Sequence, residues 1–157
     1  HSLIKNKMIQ TNAKIGGEMS GHIFFSDRYF GYDDAVYVAL RLLEVLSKTK
    51  QRLYKLIDEI PKYDSTPEIR IDCQNDNDKF KIVDDLIKYY QSNYDCETID
   101  GVRINYDNGW GLIRASNTQP VIVCRFEAKT SERMIEIKDT VLAKLNSFGE
   151  LRTSVEH

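Results

Sequence analysis

Three cysteines in 157 residues, Cys73, Cys96 and Cys124, are odd in number and widely separated, which argues against a disulfide framework or a zinc knuckle and fits a reducing compartment. No window approaches the roughly 20 apolar residues that a membrane span requires. The opening His1-Ser2-Leu3-Ile4-Lys5 lacks both a continuous apolar region and a small-residue cleavage site, so it is no secretory signal. Positive charge is not in excess: 22 Lys+Arg stand against 24 Asp+Glu. The chain therefore has no overall pull on polyanions, and any anion must be held by a local site. The single Trp110 and the nine tyrosines sit in apolar strand or helix patterns without a basic stripe, which excludes a nucleic-acid stacking platform. Asp76 and Asp78 do not open an EF-hand, because loops starting at Asp72 or Asp76 carry Val83 or Ile87 where a bidentate Glu is needed. The expected location is cytoplasmic, with neither membrane nor nucleic acid as partner.

What is present is an ordinary globular composition, 41% hydrophobic and 29% charged, enough for one domain or two small ones. The chain opens without Met, as though cut from something longer, and the closing His157 reads as the stub of an affinity tag.

Residues 3–12 predict a short helix and residues 13–15 a brief strand running into a turn at Gly16 and Gly17. From Asp33, read as an N-cap with Asp34 in the first turn, Ala35, Val38, Ala39, Leu42, Leu43 and Leu46 form the stripe of an amphipathic helix. A short helix follows over 53–57. Pro61 and Pro67 bracket polar turn formers and mark a domain boundary, giving units 1–60 and 68–157 joined by a linker at 61–67 that reads as a hinge. Beyond it come a strand over 68–73, a helix with Phe80, Val83, Leu86, Ile87 and Tyr90 on its apolar side, and alternation at Val102, Ile104 and Tyr106. A hairpin turn at Asp107-Asn108-Gly109, strands over 110–114 and 121–127, and a helix capped by Thr130 or Ser131 complete the chain. The last helix carries Met134, Ile137, Val141, Leu145 and Phe148. The second unit is thus an α+β sandwich of two helices on one sheet face.

Two loops carry chemistry. Gly16-Gly17-Glu18-Met19-Ser20-Gly21-His22 sets glycines beside Glu, Ser and His, which together accept, donate and trade protons, as reading a sugar requires. A tight turn with incidental polar residues accounts for the same local pattern. Arg114-Ala115-Ser116-Asn117-Thr118-Gln119-Pro120, with Arg125 on the returning strand, offers guanidinium forks, hydroxyls and loop N–H groups for a phosphate that is held and not transferred. A polar hairpin with surface arginines reads equally well. Ile122, Cys124 and Phe126 share the helix-covered face, so Cys124 is a core residue and Arg125 projects from the other side.

Together the two loops resemble the C-terminal signatures of the α-D-phosphohexomutases of the phosphomannomutase/phosphoglucomutase type. His1-Ser2-Leu3-Ile4-Lys5 is similar to the end of that family's Thr-Gly-His-Ser segment. Tyr29-Phe30-Gly31-Tyr32-Asp33-Asp34, Asp100-Gly101-Val102-Arg103 and Gly109-Trp110-Gly111-Leu112 extend the likeness nearly end to end. The resemblance implies a partial third α/β domain followed by a fourth domain, α+β and TATA-box-binding-protein-like, with a four-stranded, mainly antiparallel sheet and two helices on one face.

It implies an isomerase, an intramolecular phosphotransferase acting on mannose or glucose 1- and 6-phosphates through a hexose 1,6-bisphosphate. The phosphoserine and the Mg²⁺ loop would belong to N-terminal domains whose motifs are missing here, leaving the fragment alone inactive and without a metal site. At the matching positions Glu18 and Ser20 would grip sugar hydroxyls, and His1 and His22 would flank the reacting oxygen, one as general acid/base. Arg114, Ser116, Asn117, Thr118 and Arg125 would clamp the spectator phosphate. Met19 and Asn117 favour the mannose/glucose class over the glucosamine class, while Gln119 departs from the usual Thr or Glu. A non-catalytic phosphosugar-binding module is the alternative.

Overall fold

The computed structural model describes residues 1–18, 20–73, 76–148 and 152–154; Met19 and His157, weighed above, lie outside them. The chain divides into two compact units, His1–Pro61 and Lys62–His157. Among the described residues no helix is long and apolar enough to cross a membrane.

The first unit opens with helix α1 (Ser2–Thr11), ended by Asn12 in the left-handed conformation (φ 53°), whose short polar side chain tolerates it. A two-stranded antiparallel ribbon follows, β1 (Ile15–Gly17) and β2 (Ile23–Phe25), with Gly17 opposite Ile23. Here the reading of the sequence needs correction: Gly16 and Gly17 belong to the strand and not to the turn. The reason is packing, since a Cβ on Gly16 would lie 2.6 Å from the sulfur of Met8 on α1. The turn lies instead beyond Gly17, where Gly21 N–H donates to the Glu18 carbonyl and Gly21 takes φ 92°.

Helix α2 (Ala35–Ser47) is capped by Asp34, whose side chain accepts from the Tyr37 N–H at 3.0 Å. The expected cap, Asp33, is one residue early and is spent elsewhere. Arg41 of α2 stacks over the Phe25 ring at 4.3 Å and pairs with Asp27 at 2.7 Å, while Arg28 pairs with Glu44. The short α3 (Leu53–Asp58) closes this unit.

The second unit is built on one sheet in which every described strand pair is antiparallel. In chain order its elements are β3 (Asp64–Ser65), β4 (Ile69–Asp72), α4 (Asp76–Asn93), β5 (Cys96–Glu97), β6 (Val102–Tyr106), β7 (Gly109–Ala115), β8 (Val121–Ala128), α5 (Ser131–Asn146) and β9 (Arg152–Ser154). The expected four strands, β4, β6, β7 and β8, form its centre; β3, β5 and β9 bring it to seven. Strands of two or three residues have no periodicity to read. Within the stretch read as linker, Asp64 and Ser65 pair with β8, and Thr66 N–H donates to the Phe126 carbonyl at 3.0 Å.

One face of the sheet and helices α4 and α5 enclose a continuous core that includes Leu86, Tyr90, Ile104, Ile113, Ile122, Phe126, Val141 and Leu145. Cys124 is fully buried within it, and burial pushes its thiol up to about 12, so it is inert, as its strand position implied. Gly111 leaves room for the Phe126 ring, which a Cβ would approach to 3.1 Å. Thr130 caps α5 by accepting from the Arg133 N–H at 3.2 Å. Helix α4 departs from the expected stripe at one turn: Phe80 is 43% exposed, whereas Lys79 is buried.

Candidate sugar and phosphate sites

Each unit carries one of the two loops. In the first, the β1–β2 turn is closed by Glu18 N–H donating to the His22 carbonyl at 2.8 Å and Gly21 N–H to the Glu18 carbonyl at 3.0 Å. This brings Ser20 Oγ to 3.3 Å from Glu18 Oε2, so the hydroxyl and the carboxylate predicted to read sugar hydroxyls already act as a pair. The amino group of His1 lies 3.3 Å from Glu18 Oε1. The His1 ring stands edge-on to His22, with centroids 4.8 Å apart, and to the buried Phe24 at 5.2 Å. Four of the sequence-predicted residues, His1, Glu18, Ser20 and His22, are therefore gathered at one end of the ribbon.

One residue was missed. Asp33 Oδ2 lies 2.6 Å from His22 Nδ1, and a backbone bridge to Phe24 holds Asp33 beside β2. With Nδ1–H donating to that carboxylate, a neutral His22 ring keeps its lone pair on Nε2. The available signal was the doublet Asp33-Asp34, since one helix needs only one cap. Asp34 also accepts from the Tyr29 hydroxyl, which with the Tyr37 N–H holds its carboxyl below the ordinary range. His1, His22 and Asp33 are also the one group of metal-capable side chains found among the described residues. Two imidazoles and one carboxylate do not suit Mg²⁺, which takes oxygen ligands.

In the second unit the phosphate candidates lie at the β7–β8 hairpin. The register pairs Arg114 with Val123 and Leu112 with Arg125, which puts both arginines on the face opposite the helices as diagonal neighbours, about 7–8 Å apart by the usual geometry of such pairs. Arg70 pairs with Val123 from the other side, and Arg103 with Leu112, so four arginines share this open face. Arg70 is bonded to Glu68 and Gln119, Arg103 to Glu97 and Asn105, and Arg114 lies 3.5 Å from Asp100. Among the described residues no hydrogen bond or ion pair engages the Arg125 side chain.

At the hairpin tip Asn117 and Thr118 are exposed, but Ser116 is buried. Ser116 Oγ accepts from the Gln119 N–H at 3.2 Å and the Thr118 N–H at 3.4 Å, so these two loop N–H groups are turned onto a side chain of the loop itself. The expectation that the loop N–H groups point inward to a ligand is corrected to that extent. The Ser116 hydroxyl proton remains available to donate.

An α/β unit with a polar turn, followed by an antiparallel α+β unit with an arginine-bearing open face, defines the class of the molecule. Sequence comparison makes it specific. The model of the family described as phosphoglucomutase/phosphomannomutase, alpha/beta/alpha domain III, matches residues 1–63, and that of the same family's C-terminal domain matches residues 68–144. A phosphomannomutase/phosphoglucomutase of Pseudomonas putida is 51% identical over 148 residues, 92% of this chain and 31% of the relative. A phosphoglucomutase of Neisseria gonorrhoeae is 39% identical over 153 residues, 96% of this chain and 33% of the relative. The crystal structure of a phosphoglucomutase/phosphomannomutase family protein from Burkholderia thailandensis superposes with a TM-score of 0.81 at 37% identity, covering 98% of this chain and 32% of that one. The chain belongs to the phosphoglucomutase/phosphomannomutase family and comprises its domain III segment and C-terminal domain. It spans about a third of the length of the curated relatives it matches.

Proposed function

We propose that this chain is the sugar-reading and phosphate-holding part of a phosphohexomutase that interconverts mannose or glucose 1-phosphate and 6-phosphate. Glu18 and Ser20 bind hydroxyls of the hexose; Arg114 and Arg125, the Ser116 hydroxyl and the side chains of Asn117 and Thr118 hold the phosphate that stays on the sugar. The phosphoryl group moves between the sugar and a phosphoserine supplied by domains outside this chain, by way of a hexose 1,6-bisphosphate. As the sugar hydroxyl oxygen bonds to phosphorus and the seryl P–O bond breaks, the hydroxyl proton passes to Nε2 of His22, oriented by Asp33, with His1 beside it, and the departing seryl oxygen takes a proton from a donor outside this chain. Mg²⁺ neutralises phosphoryl charge in such transfers; the one metal-capable group among the described residues, His1, His22 and Asp33, does not fit it.

The observation that carries the reading is the uncommitted Arg125, diagonal to Arg114 on an open sheet face beside the exposed hairpin tip. A guanidinium with no carboxylate partner among the described residues is poised for an added anion, and binding the far end of the sugar converts affinity into orientation at the reacting end.

Two measurements test it. Arg125→Ala should weaken glucose 1-phosphate binding by about 10- to 100-fold, the loss of one charged hydrogen-bonded contact, with the thermal transition unchanged; an unaltered affinity refutes the clamp. Supplying the remaining domains of a family member in trans, with Mg²⁺, should restore turnover. Hexose phosphate binding without turnover would favour a non-catalytic phosphosugar-binding module.

A further inference from the structure

Lys79 is 1% exposed, in the first turn of α4, at the position where the apolar stripe of that helix calls for a hydrophobic residue. Both circumstances are costly. A buried ammonium loses its hydration, and the N-terminal end of a helix repels positive charge. Its Nζ donates to the Gln119 carbonyl at 2.7 Å, forty residues along the chain.

That carbonyl also accepts from the Val121 N–H at 2.8 Å, and the next one, of Pro120, accepts from the Cys73 N–H at 2.9 Å. Arg70 meanwhile donates to the Gln119 side-chain oxygen at 2.8 Å. A loop that holds an anion must turn its carbonyl oxygens away from it, because each is the negative end of a peptide dipole. Here the two carbonyls at the base of the hairpin are engaged by donors of the same unit, one of them charged.

We infer that Lys79 is a positioning residue for phosphate binding: from beneath the hairpin it fixes the Gln119 carbonyl, and so the conformation in which Asn117, Thr118 and Arg125 meet the anion. The inference rests on the phosphate-holding role proposed above. It assigns Lys79 no contact with substrate, and it explains why a lysine replaces a hydrophobic residue at this turn of α4.

The test uses the 157-residue chain and glucose 1-phosphate as probe. Lys79→Met, which keeps the length and removes the donor, should weaken binding about tenfold and shift the amide resonances of residues 116–119 and 121 while those of α5 stay in place. Lys79→Gln, which keeps a donor, should recover most of the affinity, a rescue that general destabilisation would not give. A folded Lys79→Met protein with wild-type affinity and unmoved loop amides overturns the inference. If Lys79→Met does not fold, the Lys79 ammonium ¹⁵N resonance of the unaltered chain decides: a shift on saturation with probe supports the coupling, and an unmoved resonance refutes it. If the unaltered chain binds no probe, yet the loop amides move in Lys79→Met, the phosphate reading fails and the positioning of the loop by Lys79 stands.

Discussion

In the second unit two helices close over a sheet, and sixteen buried residues between Ile71 and Leu145 form one apolar cluster. In the first unit Met8 and Phe24 are the buried hydrophobic residues among those described, and α2 has none. Of its predicted stripe Leu42 and Leu43 are exposed, Leu43 at 60%, as are Val36, Leu40 and Val45 beside it. The side of α2 that meets the rest of its unit is polar and aromatic, through Tyr37, Arg41 and Glu44. An apolar stripe is therefore a statement about burial somewhere, and not a statement that the burying partner lies within the same chain. The loop proposed to hold phosphate sits on a scaffold with its own buried core; the loop proposed to read sugar sits on a unit held by a ribbon, a few aromatic contacts and a surface ion network.

The contrast breaks or sharpens under mutation. Trp110 is the only tryptophan and lies on β7, so its fluorescence reports the second unit alone. Phe126→Ala should cost about 3–5 kcal/mol by urea denaturation followed at Trp110, the usual penalty for emptying a core aromatic site. Leu43→Ala should leave that transition where it was, because surface changes stay within about 0.5 kcal/mol. Equal responses to the two would abolish the distinction between the units. Amide exchange should separate them next: amides of α2 should exchange at least about tenfold faster than those of α5, since local opening follows the density of buried contacts. Uniform protection would contradict this. Thr130→Ala, removing the α5 cap, should cost about 1 kcal/mol, again at Trp110.

The smallest effect concerns acid. Arg28 first, then Lys48, holds the Glu44 carboxyl down from an ordinary 4.5 to about 2, and Arg41 likewise lowers Asp27. A depressed carboxyl stabilises the fold fully above its unfolded value and loses that contribution as pH falls through the folded one. The helical signal of the first unit should therefore weaken between pH 4.5 and about 2, modestly because the network is exposed and screened. Glu44→Gln should flatten that slope, and an unchanged acid profile in the variant would remove the network from the account.

Much of this was legible in the sequence where periodicity is long. The helix stripes of α4 and α5, the alternation through β6 to β8 and the buried Cys124 all follow from spacing of apolar residues. Gly16 was misread because its reason for being glycine is the sulfur of Met8, a contact no local pattern contains. Asp33 was taken for a cap because Asp33 and Asp34 are alike in sequence, and only the β2 bridge separates their roles. Lys79 was passed over for Phe80 because a stripe predicts apolar residues and cannot foresee a lysine that bonds, among its contacts, a carbonyl forty residues away. Both proposed recognition loops were visible as clusters of residue types. Their pairings, Glu18 with Ser20 and His22 with Asp33, required coordinates.

The division of labour between the loops is tested most directly by amide and guanidinium ¹⁵N spectra of the chain titrated with glucose 1-phosphate and, separately, with glucose. The account predicts saturable shifts at Asn117, Thr118 and the Arg125 side chain with the phosphorylated sugar and none there with glucose. Shifts that leave those three residues untouched while the sugar phosphate binds elsewhere would contradict it.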